Sequence, residues 1–169
     1  MWWHNHCAAA LLAAAALGLS GCGVQPLYGT TVGGGRTGAA MDTVDVTPIP
    51  GRVGQKVRNE LIFFNTGGGK HGPTAYTLDV SVKQSVIKEL VQVSGNATGE
   101  VLELNATFKL RDRSGKVVMQ GKAVSRAAYQ RFEQIFTNVR AQYNAEDRAA
   151  RTVADAIRVR VASFLQQSA

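Results

Sequence analysis

Apolar and polar positions alternate with two different periods along this chain, and the changes of period mark its elements. Val44 and Val46 alternate with Thr43, Asp45 and Thr47, which predicts a short strand. Pro48 and Pro50 end it, because proline has no amide to give to a sheet. The period then lengthens. Val53, Val57, Leu61 and Phe64 share one face of a helix, with Arg52, Lys56, Asn59 and Glu60 opposite and Gly67-Gly68-Gly69 as the stop. From 74 to 89 the period is two again, Tyr76, Leu78, Val80 and Val82 facing one way and Thr77, Asp79, Ser81 and Lys83 the other.

Leu102, Leu104, Ala106, Phe108 and Leu110 repeat that alternation against Glu103, Asn105, Thr107, Lys109 and Arg111. Asp112-Arg113-Ser114-Gly115 is turn chemistry. The next strand spans about 117–127, with Val117, Met119, Gly121 and Ala123 taken as its inner face. Residues 128–143 show no clean period and are expected to be loop with at most a short helix. Asn144 is then read as an N-cap with Asp147 in the capping-box position. Val153, Ile157, Val161 and Leu165, four apart, make the apolar stripe of a last helix, with Asp147 and Arg151 as an i,i+4 pair on its wet side.

A sheet with one polar face is typically antiparallel, and two amphipathic helices need its apolar face for cover. The expected fold is therefore α+β: a two-layer sandwich with two helices packed on one face of a four-stranded, mostly antiparallel sheet, in the order β-α-β-β-β-α. The first strand, separated from the others by a helix, is free to pair in parallel.

The N-terminus has a different pattern. Ala8 to Leu19 is an unbroken apolar run, too short to span a bilayer, which takes about 20 residues, and of the length of a secretory h-region. It ends Leu19-Ser20-Gly21-Cys22, which resembles the bacterial lipobox, in which the cysteine is acylated and becomes the new N-terminus. The preceding MWWHNHC departs from that pattern in having no Lys or Arg. Residues 1–21 are thus expected to be a lipoprotein signal peptide, 22–41 a lipidated N-terminus and Gly-rich tether, and 42–169 a single domain. Cleavage would also remove Cys7, leaving no partner for a disulfide. Two or more acyl chains anchor stably.

The chain carries 19 Lys and Arg against 12 Asp and Glu, a net +7. Export makes nucleic acid an unexpected partner and leaves anionic lipid, phosphorylated saccharide or an acidic protein. The positive charge is concentrated: Lys109, Arg111, Arg113, Lys116, Lys122 and Arg126 are opposed only by Asp112. Catalytic groupings are not apparent. After cleavage the only histidine is His71, and Gly67-Gly68-Gly69-Lys70 lacks both the upstream glycine and the following Ser or Thr of a phosphate loop. No metal, cofactor or enzymatic activity is expected.

Four strings carry a resemblance: CGVQPLYG (Cys22–Gly29), PIPGRVGQKVRNEL (Pro48–Leu61), ATFKLRDRSGKVVMQG (Ala106–Gly121) and AEDRAARTVADAIRVRVASFL (Ala145–Leu165). In this order they resemble the LPS-assembly lipoproteins of the LptE family, in their alphaproteobacterial form; region 128–143 matches least. The resemblance implies a non-catalytic subunit of the outer-membrane LPS translocon. Such a subunit plugs and helps assemble the LptD β-barrel, binds lipopolysaccharide (LPS), and sits lipid-anchored on the periplasmic side through Cys22. Lys109, Arg111, Arg113, Lys116 and Lys122 are the candidate contacts for LPS phosphates; the other reading is that Lys109, Arg111 and Lys122 only contact acidic walls of the barrel lumen. The alternative is a stand-alone outer-membrane lipoprotein that binds an anionic envelope polymer.

Overall fold

The computed structural model describes residues 40–66, 72–91 and 97–168. The leader, Cys22, most of the expected tether, the glycine stop at 67–69 and His71 lie outside the described residues. The elements are β1 (Val44–Val46), α1 (Gly51–Thr66), β2 (Tyr76–Val91), β3 (Ala97–Asp112), β4 (Val117–Gln130) and α2 (Ile135–Gln167). The four strands form one sheet in the order β1-β2-β3-β4. β1 runs parallel to β2, and the other pairs are antiparallel. This is the expected α+β architecture.

The sheet's inner face follows the alternation. Leu78, Leu102, Leu104, Phe108 and Leu110 are almost wholly buried. On β4 the inner residues are small: Ala123, Ser125 and Ala127 are buried, and Gly121 stands directly across from Phe108. Large side chains on β3 thus interlock with small ones on β4, where α2 lies close. Val117 does not join this face. A register irregularity between Leu110 and Arg111 shifts the pairing there, and Val117 stays exposed. Met41, at the end of the expected tether, is part of the core.

Helix α1 buries Val53, Val57 and Leu61 as its spacing requires. At the next turn Asn65, not Phe64, is the buried residue, and its Nδ2 donates to the Val44 carbonyl at 3.2 Å. Phe64 is half-buried, with the Arg158 guanidinium 4.2 Å over its ring.

Helix α2 departs most from expectation. It begins at Ile135, not after Asn144, and runs 33 residues, about 50 Å at 1.5 Å per residue. Gln134 at the N-cap position makes no side-chain cap; instead Asn138 clamps the preceding turn, accepting from Phe132 N at 2.6 Å and donating to Phe132 O at 2.7 Å. The stripe Val153, Ile157, Val161 and Leu165 is fully buried.

The expected Asp147–Arg151 pair is replaced by bridges between helices. Asp147 meets Arg52 and Lys56, and Arg151 meets Glu60. Partner numbers rise together on both helices, so α1 and α2 run in the same direction.

Candidate functional site

The β3–β4 turn is built by one carboxylate. Asp112 Oδ1 accepts from Ser114 N at 2.9 Å, Ser114 Oγ at 2.6 Å and Lys116 N at 3.1 Å. Gly115 closes the turn with φ +85°, a conformation that favours glycine. The Ser114 hydroxyl first, then the backbone amides and the nearby Lys116 charge, hold the Asp112 carboxyl below its ordinary range.

This geometry divides the candidate cations. Arg111 is engaged, its Nε donating to Asp79 Oδ2 at 2.8 Å and its Nη1 to the Gly115 carbonyl at 3.1 Å. Arg113 donates to the Thr74 carbonyl at 3.1 Å. Arg111 fastens the turn to β2 and to itself, and Arg113 fastens it to the segment that leads into β2. Arg126, further along, is bound to Glu103 at 2.6 Å. The amide of Asn105, then Arg126, hold the Glu103 carboxyl low. Lys109, Lys116 and Lys122 are exposed, and none forms an ion pair with a described residue.

The register shows a grouping the sequence could not. Lys109 stands between Asp79 and Gln120, Lys122 beside Thr107, and Lys83 beside Asn105. These residues project from the outer face of the sheet, which neither α1 nor α2 covers. Its other members include Thr77, Ser81 and Thr107, with Val124 and Ile87 as large apolar residues exposed on it, at 56% and 40%. Lys83 therefore joins the candidates. Its alternation was readable, but its neighbours depend on how β2 is registered against β3. The face is mostly polar and lysine-bearing, suited to phosphates, sugars or a polar wall.

Its β4 edge is closed from the helix side. Arg148 donates to the Ala128 carbonyl at 2.9 Å, and Arg160 to that of Lys122. Carbonyls occupied in this way are less available for pairing with another strand.

On the covered side one buried carboxylate draws three elements together. Glu146, 5% exposed, accepts from Arg52 of α1, from Gln84 of β2 at 3.1 Å and from Gln142 at 3.2 Å. The Arg52 guanidinium also lies 4.0 Å over the Tyr143 ring. Glu146 is saturated with donors, so this cluster is structural. Among the described residues no group of three or more His, Cys, Asp or Glu is placed to hold a metal ion, and no helix is long and apolar enough to cross a membrane.

A sequence search of curated proteins gave no match. Solved structures share the fold. A Caulobacter crescentus lipoprotein is 21% identical, with 76% of this chain and 95% of that one covered at a TM-score of 0.61. For the rare lipoprotein B of Shewanella oneidensis the values are 16%, 72%, 93% and 0.55. For a minor lipoprotein of Acinetobacter baumannii they are 14%, 72%, 92% and 0.51. The family model described as LptE, lipopolysaccharide-assembly, matches residues 41–161, from the first core residue to the last turns of α2. The chain belongs to the LptE family of lipopolysaccharide-assembly proteins.

Proposed function

We propose that this protein is a non-catalytic, lipid-anchored subunit of an outer-membrane LPS translocon. It is held on the periplasmic side through Cys22, partnered by a β-barrel of LptD type, and binds LPS. The observation that carries the reading beyond family membership is the uncovered outer sheet face. It sets Lys83, Lys109 and Lys122 among hydroxyls and amides, with Lys116 at its turn end. The inner wall of an outer-membrane barrel is polar, and a mostly polar face of this kind suits such a wall. LPS carries phosphates beside acidic sugars, and ammonium groups attract them more strongly where water is excluded.

Arg111 and Arg113 serve this surface indirectly, by fixing the turn that carries Lys116 and the strand ends that carry Lys109 and Lys122. The test is LPS affinity of the parent and of a Lys109→Glu, Lys116→Glu, Lys122→Glu variant at two ionic strengths. Affinity is expected to fall about tenfold, some 0.5 kcal/mol per substitution. The parent's affinity is expected to fall with salt. A folded variant with unchanged affinity contradicts the reading. Cys22 is tested separately: a radioactive fatty acid should label the parent and not Cys22→Ala.

A further inference from the structure

The edges of this sheet are guarded unequally. Thr43 O and Thr47 N bond to β2, so by alternation the backbone of Val44 and Val46 points away from it. Both outward carbonyls are taken from α1: that of Val44 by Asn65, and that of Val46 by Arg58 Nε at 3.0 Å. At β4 the arginines of α2 take the carbonyls of Lys122 and Ala128. Carbonyls held in this way discourage the addition of a further strand.

β2 has no such guard beyond Leu78. The last tie from the β1 side is Thr47 N to the Leu78 carbonyl at 3.1 Å, after which Pro48 and Pro50 lead the chain away into α1. β2 itself continues to Val91. Tyr76 and Leu78 bond toward β1, so the backbone N–H and C=O of Val82, Gln84, Val86 and Lys88 point to that same side, now open. Among the described residues no strand pairs with them there and no side chain caps their carbonyls. The stretch is about 20 Å long. Where β1 would continue lies a groove of about 370 Å³, lined by Pro50 and Gly51 at the start of α1, Val82 and Gln84 of β2, and Glu146 of α2.

The side chains along the stretch define what fits. Val82, Gln84 and Val86 face inward, Gln84 bonding to the buried Glu146, and Val86 is 42% exposed. Lys83 faces outward, and both it and Lys88 are exposed and form no ion pair with a described residue. An added strand therefore needs apolar residues inward, because Glu146 repels an acid there, and acidic residues outward beside Lys83. Residues 22–39 of this chain contain no Asp or Glu. A second copy's β2 would bring its own Lys83 and Lys88 to the seam, like charge against like. We propose that the Val82–Lys88 edge is a strand-acceptor site, taking an extended segment of a different polypeptide that alternates apolar and acidic residues. Main-chain bonds supply the affinity of such a site and the alternating side chains its specificity. The inference does not depend on the LPS reading and uses none of Lys109, Lys116 and Lys122.

The test follows amide hydrogen exchange by NMR in the full chain, with a capped heptapeptide Val-Glu-Val-Glu-Val-Glu-Val as probe and its lysine counterpart as control. The glutamate peptide is expected to slow exchange at Val82, Gln84, Val86 and Lys88 about tenfold, leaving Val118 and Gln120 on the β4 edge unchanged; the lysine peptide should not. Val86→Pro removes an amide that points to the open side, where proline is tolerated, and should abolish the protection. Lys83→Glu, at an exposed position, should weaken the glutamate peptide about fivefold and let the lysine peptide bind. No protection by the glutamate peptide, equal binding of both peptides, protection on the β4 edge, or unchanged binding by the folded variants overturns the proposal. So does protection of these amides in the parent alone: rising with concentration, it means that a second copy holds the edge; independent of concentration, that a segment of this chain does.

Discussion

Phe108 and Gly121 face each other across β3 and β4, and the phenylalanine ring occupies the space where a side chain at 121 would begin. A Cβ built there comes within 2.6 Å of the ring's Cζ and 2.9 Å of a second ring carbon. Phe108 is 1% exposed, so the ring has nowhere to retreat. Gly121→Ala is expected to destabilise the fold by about 1–3 kcal/mol, read as a lower denaturant midpoint. Alanine at neighbouring, exposed Gln120 should change it by less than about 0.5 kcal/mol.

The bridge between Arg52 and Glu146 has unequal ends. Glu146 is buried, while the Arg52 side chain is 41% exposed. Removing Arg52 leaves a buried carboxylate with only Gln84 and Gln142 as donors; removing Glu146 leaves a half-exposed arginine that keeps Asp147 and water. Arg52→Ala should therefore cost more than Glu146→Gln, about 2 against about 1 kcal/mol. A double-mutant cycle by urea unfolding measures the difference, and equal costs would mean the carboxylate is hydrated.

Ile157 is 0% exposed in the middle of the α2 stripe, and Ile157→Ala should cost about 2–5 kcal/mol. Arg151, on the wet side, has one exposed bridge to Glu60 at 3.4 Å. Its alanine variant should lose less than about 1 kcal/mol. Comparable losses at the two positions would misplace the helix's rotation.

Burial, and then the hydrogen bond Tyr129 donates to Glu100, push the tyrosine's phenol up from 10.0 to about 12. A raised folded value means the phenol's stabilisation is complete below its ordinary pKa and is lost as pH rises from about 10 to about 12. Tyr129→Phe should therefore remove the last tyrosinate step from an ultraviolet titration and flatten the alkaline fall in stability over that window. On the acid side the sign reverses. Asp112, held low chiefly by Ser114, stabilises its turn above the ordinary carboxylate range and releases it as pH falls through the lowered value. Asp112→Asn should weaken that acid dependence.

Strand alternation and helix stripes were legible because each buries a face against the same core, and burial selects residue type. Where burial stops, so does the pattern's meaning. Phe132, Phe136, Val139 and Tyr143 do repeat at four, three and four, but among the described residues no element buries them. Asn144 therefore looked like a start although it lies mid-helix and exposed. The basic hairpin was legible as composition and not as chemistry. Arg111 and Arg113 are bound by Asp79 and Thr74, residues more than thirty positions away. Lys83 joins the lysine face only once β2 is registered on β3. Contacts of this range are set by the sheet, which local periodicity does not specify.

The central claim is that this chain works as one subunit of a two-protein LPS translocon. The most direct measurement is the composition of what accompanies a C-terminally tagged full chain extracted from outer membranes in mild detergent. One β-barrel protein of LptD type, in equimolar amount and with LPS bound, is the result expected. Recovery of the chain alone, or with LPS but no barrel, would contradict it and favour a free-standing lipoprotein that binds anionic polymer.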